Sequence, residues 1–379
     1  MNSNPLRQLY EHGQSVWLDN IDRTLLNSGE LQRLVQRGEV QGVTSNPTIF
    51  QKAIETCSEY DPLIRELSEG GRDVLSVYEA LSTEDIRAAA TILEPVYQAT
   101  QGRDGYVSIE VSPMLAHDLD GTIAEAKHLF SALGRPNIMI KVPATPEGVT
   151  ALTELIAAGL NINATLIFSP DNYEQIAHAY IVGLERLAAS GQPVDRVASV
   201  ASFFVSRVDT MVDHILETRL QQQAADPSAQ ARLRPLLGRA AIANAKIAYQ
   251  RFKRIFSAEA FVSLQQRGAR VQRPLWASTS TKNPRYRDVM YVEELIGPDT
   301  VNTMPPATLA AFRDHGRVRP TLEENVDDAY RVFAELADLG IDMQQVYRDL
   351  QVAGVQAFSD SMTNLLACIR ERQTTLKSA

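Results

Sequence analysis

One lysine stands inside an apolar segment, where a charged side chain is costly. Lys141 lies in the run IMIKVP, residues 138–143, among isoleucine, methionine and valine side chains. Burial disfavours the charged ammonium and favours the neutral amine, which is the form that attacks a carbonyl carbon. A salt-bridged lysine at a strand end would give the same pattern. Lys141 is therefore a candidate amine nucleophile, with a structural ion pair as the alternative.

Two acidic residues end other apolar runs. Asp19 follows Val-Trp-Leu, and Glu110 follows Val-Ser-Ile. A single carboxylate in such a place often caps a helix or contacts a loop. In a barrel of parallel strands, however, the carboxyl ends of all strands meet at one mouth. We expect these two acids and Lys141 to converge there as an acid/base set.

Neutral polar side chains occupy the matching places on two further runs. Thr44, Ser45 and Asn46 precede Pro47, while Asn163 and Thr165 lie inside another apolar run. Their hydroxyl and amide groups suit the hydroxyls of a sugar. The same residue types also satisfy backbone groups at strand ends and turns, so both roles stay open.

Candidates for anion binding come later in the chain. Arg207 follows one apolar run, and Lys282 follows the polar sequence Ser-Thr-Ser-Thr after another. Backbone amides, hydroxyls and a basic side chain after strand 7 are typical of the phosphate site of a barrel. A solvated loop is the alternative.

Eight β-branched or apolar runs, bounded by turn residues, could supply the strands that position these side chains. They are VWLDNI from 16, GVTSNP from 42, YVSIEV from 106, IMIKVP from 138, NATLIF from 163, VASVASFF from 197, RPLWAS from 273 and TVNTMP from 300. Helical periodicity between them, as in 147–158 and 173–187, indicates a parallel sheet. Eight nearly continuous apolar strands favour an α/β fold of the (β/α)8 TIM barrel type with additional helices over an open doubly wound sheet.

The spacing of the strands leaves room for extra helices. We predict a single catalytic domain over 1–379, with helical insertions near 49–105 and 206–272 and a helical C-terminal segment over 319–379. No repeat, low-complexity tract or interdomain linker divides the chain.

Finer features are predicted within these helical parts. Residues 224–235 read as a linker between two amphipathic helices of the second insertion. Thr321 and Glu324 have the spacing of a capping box, and a long helix is expected from about Met343.

Composition limits the possible partners. With 37 basic and 46 acidic residues, the net charge is -9, which repels nucleic acid and anionic membranes. Any anionic ligand therefore needs a local basic cluster.

Cys57 and Cys368 are far apart, and the six histidines lack zinc spacing, so neither a disulfide framework nor a metal site is expected. The first 14 residues lack a signal-peptide core, which favours the cytoplasm. A monomer and a homodimer both remain open.

The segment DLDGT, residues 118–122, resembles the nucleophile motif of haloacid-dehalogenase phosphatases. In that motif an apolar strand delivers the first aspartate, whereas here Pro113 and other residues interrupt any strand. We expect Asp118 to start a helix, with Thr122 and Glu125 as a capping box.

Two longer motifs resemble one family. GVTSNPTIF, residues 42–50, is similar to the first transaldolase signature, and IMIKVPATPEG, residues 138–148, to the second, lysine-bearing one. The resemblance continues in order through VSIEVSPMLAHD, LNINATLIFS, ASFFVSR, LWASTSTKNP and VNTMPPATL. It covers all eight predicted strands and is strongest to the longer bacterial transaldolases.

The resemblance implies a class I aldolase barrel of the pentose phosphate pathway. Such an enzyme moves a dihydroxyacetone unit from sedoheptulose 7-phosphate to glyceraldehyde 3-phosphate, giving erythrose 4-phosphate and fructose 6-phosphate. Lys141 matches the Schiff-base lysine, and Asp19 the residue that takes the proton of the C4 hydroxyl. Glu110 and Thr165 match the pair that holds a catalytic water. No metal or organic cofactor is implied.

The resemblance also assigns substrate-binding residues. Asn46, Asn163 and Ser202 match positions that bind the dihydroxyacetone hydroxyls, and Arg207 and Ser278 match phosphate-site positions. Many transaldolases carry an arginine after strand 7, where this chain has Lys282. Lysine binds phosphate as a point charge, so its equivalence to that arginine is open.

Two alternatives share this barrel. A class I aldolase similar to fructose-6-phosphate aldolase would release free dihydroxyacetone, but such enzymes generally use a tyrosine near Phe204, which lacks a hydroxyl. A barrel that binds sugar phosphates without turnover would give no reason for the catalytic set.

Overall fold

Eight parallel strands close into a barrel in chain order in the computed structural model, which describes residues 4–378. The strands are β1 (Gln14–Leu18), β2 (Gly42–Thr44), β3 (Val107–Glu110), β4 (Ile138–Pro143), β5 (Ile162–Ile167), β6 (Ser199–Phe204), β7 (Arg273–Ala277) and β8 (Thr300–Met304). Each strand pairs with the next, and β1 pairs with β8, which closes the sheet. The prediction of a (β/α)8 barrel is confirmed, and the open sheet is wrong because β1 and β8 pair.

Every strand residue is buried, since one face of the sheet fills the barrel and the other lies under helices. Burial on both faces explains why the strand sequences are nearly continuous runs of apolar residues. At one point the packing admits only glycine. A Cβ atom on Gly42 would lie 2.5 Å from the ring of Trp17, its register partner on β1.

Helices surround the barrel. They are α1 (Pro5–Glu11), α2 (Arg23–Asn27), α3 (Glu30–Gln36), α4 (Pro47–Thr56), α5 (Asp61–Glu69), α6 (Val74–Ala99), α7 (Leu119–Leu133), α8 (Pro146–Ala157), α9 (Pro170–Ala189), α10 (Ser206–Gln222), α11 (Pro227–Leu233), α12 (Ala240–Phe256), α13 (Glu259–Gln265), α14 (Met290–Glu293), α15 (Pro306–His315), α16 (Val326–Asp338) and α17 (Met343–Ser378). None of these helices combines the length and the apolar character needed to cross a membrane.

The helices that follow strands begin close to the strand ends. Asn46 caps α4 by accepting a hydrogen bond from the Ile49 amide at 3.0 Å, and Thr145 caps α8 in the same way. Proline occupies the first turn of both helices, where its missing amide proton costs nothing. These caps fix the short turns that carry the polar residues of the barrel mouth.

The long C-terminal helix α17 begins at Met343, as predicted. It packs against α4 and α5 and also contacts β5, so it lies across the mouth of the barrel. Helices also occupy much of the two predicted insertions, with α4 to α6 in the first and α10 to α13 in the second. The single domain over 1–379 stays a prediction, and its residues 1–3 and 379 lie outside the described residues.

Both predicted capping boxes are wrong. Asp118 caps α7, so Thr122 already lies in the helix and donates to the Leu115 carbonyl at 2.8 Å. Glu125 instead accepts from the Ser112 amide at 2.9 Å. The haloacid-dehalogenase-like motif therefore starts a helix, as expected.

The second capping box fails because its helix begins later. Thr321 donates to the Glu293 carbonyl at 2.6 Å, while α16 starts only at Val326. The linker at 224–235 is also not a plain loop. Asp226 and Pro227 supply a cap and a first-turn proline, and α11 forms within it.

A buried ion pair ties strands together at the amino-terminal end of the barrel. Arg273 lies 3.0 Å from the carboxylate of Asp104 and donates to Ser15 Oγ at 2.8 Å. Ser15 and Trp17 also donate to Asp104, at 2.7 and 3.1 Å. All four residues are buried, so this network links β1, β7 and the segment before β3 far from the mouth.

Candidate active site

A cavity of about 420 Å³ opens at the carboxyl ends of the strands. Eight of the ten predicted site residues line it: Asp19, Asn46, Lys141, Thr165, Ser202, Arg207, Ser278 and Lys282. The other two, Glu110 and Asn163, are buried beside residues that line the cavity. The structure thus gathers all ten residues at one mouth.

The register of the sheet places Lys141 next to Glu110. The two residues are partners across β3 and β4, and Lys141 Nζ lies 3.5 Å from Glu110 Oε2. The amine also donates to the Ser45 carbonyl at 3.0 Å. Lys141 is 4% exposed, so it is both an ion-paired buried lysine and a residue that faces the cavity.

Glu110 has the character of a group that exchanges a proton. Burial raises the pKa of its carboxyl above the ordinary value, and the charge of Lys141 opposes this rise. Apart from that ion pair, Glu110 Oε2 makes no hydrogen bond to residues 4–378, and the same holds for Thr165 Oγ1. Both atoms are buried, so each is left to bind substrate or water.

A backbone irregularity accompanies Thr165. The register of β5 against β6 shifts between Ala164 and Ile167, and Leu166 adopts a left-handed conformation with φ of 59°. Such bulges are common near active sites, where they redirect a side chain. Thr165 lies at this bulge and pairs with Pro143, two residues beyond Lys141.

Asp19 follows β1 and faces the amine from another side of the barrel. Its carboxylate accepts a hydrogen bond from Thr44 Oγ1 at 2.6 Å. Burial raises the pKa of Asp19, while the charge of Lys141, this hydrogen bond and the charge of Lys282 lower it. Asp19 is therefore a second carboxyl group that can take up or release a proton near Lys141.

A short chain of hydrogen bonds orients the side chains on β5 and β6. Ser202 Oγ donates to Asn163 Oδ1 at 2.7 Å, and Asn163 Nδ2 donates to Ser108 Oγ at 3.1 Å. Asn163 is fully buried, whereas Ser202 lines the cavity. The amide oxygen of Asn46 is used in capping α4, which leaves its amide nitrogen for a ligand.

Positive groups collect on one side of the cavity. Arg207 lies over the ring of Phe204, 5.3 Å from its centroid, and Lys282 Nζ donates to Ser280 Oγ at 2.7 Å. Partial burial lowers the pKa of Lys282, and the charges of Arg207 and Lys52 lower it further, against the pull of Asp19. The local basic cluster that an anionic ligand requires is therefore present.

Ser278 joins the end of β7 to the start of α10. Its backbone is left-handed, with φ of 56°. Its hydroxyl lies 2.8 Å from Ser206 Oγ, and its carbonyl accepts from the Ser206 amide at 3.0 Å. Arg207 follows Ser206 directly. These bonds therefore hold the start of α10, with Arg207, beside the segment after β7, with Ser278 and Lys282.

Sequence reasoning missed several residues of the cavity wall, among them Lys52 and Phe358. Lys52 follows Thr48 by one helical turn on α4, and both line the cavity, so the spacing after Asn46 was a usable signal. Phe358 comes from α17 and had no such signal, because it is distant in sequence from every strand end.

In the described part of the chain, no group of three or more histidine, cysteine, aspartate or glutamate side chains is arranged to hold a metal ion. The cavity and the buried residues beside it combine an amine, two carboxyl groups with raised pKa values and a cluster of cations. This set suits covalent chemistry on a phosphorylated carbonyl compound.

Comparison with known proteins gives a consistent result. Residues 16–369 match the family described as Transaldolase/Fructose-6-phosphate aldolase. A protein named Transaldolase from Trichodesmium erythraeum (strain IMS101) is 45% identical over 374 residues, which is 98% of each chain. Transaldolase from Parafrankia sp. (strain EAN1pec) is 48% identical over 371 residues, again 98% of each chain. Transaldolase from Thiobacillus denitrificans (strain ATCC 25259 / T1) is 48% identical over 357 residues, 94% of this chain and 97% of that protein.

Proposed function

This chain belongs to the transaldolase/fructose-6-phosphate aldolase family, and on that premise we propose that it is a transaldolase. It transfers a dihydroxyacetone unit from sedoheptulose 7-phosphate to glyceraldehyde 3-phosphate, giving erythrose 4-phosphate and fructose 6-phosphate. The observation that carries the proposal is the buried amine of Lys141, which faces the cavity 3.5 Å from Glu110. A cytoplasmic place in the pentose phosphate pathway is part of the same proposal.

The covalent step begins with attack of Lys141 Nζ on the C2 carbonyl of the ketose. The resulting carbinolamine loses its hydroxyl as water to give an iminium ion, and this loss requires a proton donor. Glu110 supplies it, directly or through a water held with Thr165, because its raised pKa allows it to carry a proton. The same groups act in reverse when the last iminium is hydrolysed.

Cleavage of the carbon–carbon bond requires a base on the C4 hydroxyl. Asp19 takes that proton, the C3–C4 bond breaks, and its electron pair moves into the iminium to give a neutral enamine on Lys141. The aldose leaves as an aldehyde. When the acceptor aldehyde arrives, the enamine attacks it and Asp19 returns the proton to the new hydroxyl. The iminium itself accepts the electrons, so this route uses no metal or organic cofactor.

The remaining residues hold the substrate in place. Ser202 and Asn46 bind the hydroxyls of the dihydroxyacetone part, and Asn163 orients Ser202 through the 2.7 Å hydrogen bond. Arg207, Ser278 and Lys282 bind the phosphate at the other end of the substrate. Lys141, Arg207, Ser278 and Lys282 line the same cavity, which supports this division.

A class I aldolase that releases dihydroxyacetone is the competing function within this family. Phe204 lines the cavity but has no hydroxyl that could activate a water against the enamine. The enamine then persists until an aldehyde arrives, and transfer is favoured over release.

The test is to supply fructose 6-phosphate with and without erythrose 4-phosphate, in EDTA, and to measure sedoheptulose 7-phosphate and free dihydroxyacetone. A transaldolase forms sedoheptulose 7-phosphate only with the acceptor and releases little dihydroxyacetone. Comparable release of dihydroxyacetone without the acceptor would show an aldolase instead. In a parallel reaction with magnesium in place of EDTA, release of inorganic phosphate would indicate the phosphatase chemistry of the Asp118 motif.

A further inference from the structure

Two tyrosines that follow Lys282 are bonded to the helix that carries Arg207. Tyr286 Oη donates to Asp213 Oδ2 at 2.6 Å, and Tyr291 Oη donates to Asp209 Oδ2 at 2.8 Å. Both aspartates lie on α10 and are buried, with exposures of 1% for Asp209 and 5% for Asp213. The segment after β7 is therefore joined to α10 by two hydrogen bonds to buried carboxyl groups, and the bond from Tyr286 is itself partly buried.

The second oxygen of each aspartate is also engaged. Asp209 Oδ1 accepts from the Ala241 amide at 2.7 Å, and Asp213 Oδ1 accepts from the Gly238 amide at 2.9 Å. Gly238 is left-handed, and a Cβ there would lie 2.7 Å from the ring of Tyr286. Each carboxyl group is thus held between α10, the start of α12 and a tyrosine, which fixes its position.

The two aspartates lie on the same helix as Arg207, a residue of the proposed phosphate site. Asp209 and Asp213 follow Arg207 by two and six residues on one rigid helix. Between the buried Thr279 and Val289, no side chain is fully buried. The other side-chain contacts of this segment are exposed ion pairs, such as that of Arg285 with Glu217 on α10, which contribute little. A second cavity, of about 660 Å³, lies at this junction and is lined by both pairs together with Arg207 and Lys282.

We propose that the Tyr286–Asp213 and Tyr291–Asp209 pairs are positioning groups that set the separation of Lys282 from Arg207 and so govern binding of the substrate phosphate. None of the four lines the cavity that contains Lys141, so they act through the two cations. The inference rests on the proposed function, since it concerns the phosphate of that substrate.

Kinetics of Tyr286→Phe, Tyr291→Phe and the double variant test the proposal. The donors are fructose 6-phosphate and fructose, with unphosphorylated erythrose as acceptor, so that both donors yield sedoheptulose. Loss of either hydrogen bond releases the segment with Lys282 from α10, which should raise KM for fructose 6-phosphate about tenfold in each single variant. The kcat value and the kcat/KM for fructose should stay unchanged. Tyr180→Phe is the control, because it removes a buried hydroxyl that donates to the Arg270 carbonyl at 2.9 Å, at the opposite end of the barrel.

Equal losses for fructose 6-phosphate and fructose would show a general structural effect and overturn the proposal. Unchanged kinetics in the double variant would overturn it as well.

Calorimetry with inorganic phosphate separates this inference from the proposed function. If the wild-type protein binds phosphate and Tyr286→Phe weakens that binding while Tyr180→Phe does not, the positioning role stands even if no transfer is observed. Equal phosphate affinity in all three proteins would refute it, whatever the reaction turns out to be.

Discussion

Lys141 shows why an ion pair does not exclude a reactive role. Its buried amine is balanced by Glu110 at 3.5 Å, as a structural lysine would be. The difference lies in access, because Lys141 lines the cavity and faces a second carboxyl group, Asp19. Two carboxyls with raised pKa values beside one amine can move the protons that Schiff-base chemistry requires.

Asp19→Asn separates the covalent step from bond cleavage. The amide keeps the size of the side chain and can still accept from Thr44, but it cannot take a proton. We expect the turnover rate to fall by about 10² to 10⁴, the usual contribution of a general base, while borohydride still traps the iminium on Lys141. Rapid-quench kinetics would measure release of the aldose. A normal rate of carbon–carbon cleavage in this variant would contradict the role of Asp19.

The cation after β7 can be tested in the same way. Lys282→Ala should raise KM for fructose 6-phosphate about 10- to 100-fold, the loss expected for hydrogen bonds to a charged group, and leave fructose unaffected. Lys127→Ala is the matched control, because Lys127 is an exposed lysine on α7 outside the cavity. Steady-state kinetics with both donors provide the measurement. If both donors are affected equally, Lys282 does not belong to the phosphate site.

Most of the ten candidate residues could be found from the sequence because strand ends of a parallel barrel meet at one place, whereas Ser202 came only from the family resemblance. That rule brings Asp19, Glu110 and Lys141 together without any knowledge of the side-chain geometry. It does not reach residues on helices that cover the mouth. Lys52 and Phe358 belong to α4 and α17, and only the packing of these helices brings them to the cavity.

The strands were easier to predict than the helix ends. Burial on both faces makes each strand a continuous apolar run, and the eight runs match the observed strands within a few residues. Helix starts depend on which of several polar residues caps the helix. Asp118 precedes Thr122 and takes that role, and α16 starts after Thr321, so a capping-box spacing alone was misleading.

Asp209, a buried residue of helix α10, should make the free energy of unfolding of the protein depend on pH. Burial raises the pKa of this carboxyl to about 7 from an ordinary value of 3.8. The folded protein therefore binds this proton more tightly than the unfolded chain. The resulting stabilisation is complete below the unfolded pKa and is lost as the pH rises through the folded one.

Urea unfolding of the wild-type protein and of Asp209→Asn at pH 5, 6, 7 and 8 would measure this effect. The free energy of unfolding of the wild type should fall relative to the variant across this range, because only the wild type loses the proton. A constant difference between the two proteins would mean that Asp209 does not titrate there.

At the scale of the whole chain, basic residues and the C-terminal helix are both concentrated at the barrel mouth. The net charge is -9, yet Arg207, Lys282 and Lys52 gather at one mouth, in accord with a local site for an anionic ligand. Helix α17 then lies across that mouth, from the far end of the sequence. The sequence predicted this helix, but where it packs depends on contacts with α4 and α5 that no local pattern encodes.

The two ends of the barrel should separate stability from activity. Asp104 is fully buried and pairs with Arg273 at the amino-terminal end, so Asp104→Ala leaves a buried charge unpaired. We expect a loss of about 3 to 5 kcal/mol in the free energy of unfolding, with kcat/KM of the folded protein unchanged. Denaturant titration and steady-state kinetics would measure both.

Glu154→Ala is the matched control for that substitution. Its ion pair with Arg186 is about half exposed at both side chains and should contribute less than about 1 kcal/mol. Equal losses of unfolding free energy in the two variants would mean that the buried network stabilises the fold no more than an exposed ion pair does.

The most direct test of the proposed mechanism is trapping of the covalent intermediate. The protein is incubated with fructose 6-phosphate in EDTA, reduced with borohydride and analysed by peptide mass mapping, with Lys141→Met as the control. The mechanism predicts a dihydroxyacetone-sized mass increase on the peptide that contains Lys141 and none in the variant. No adduct on the folded wild-type protein with excess donor, or an adduct on another lysine, would contradict it.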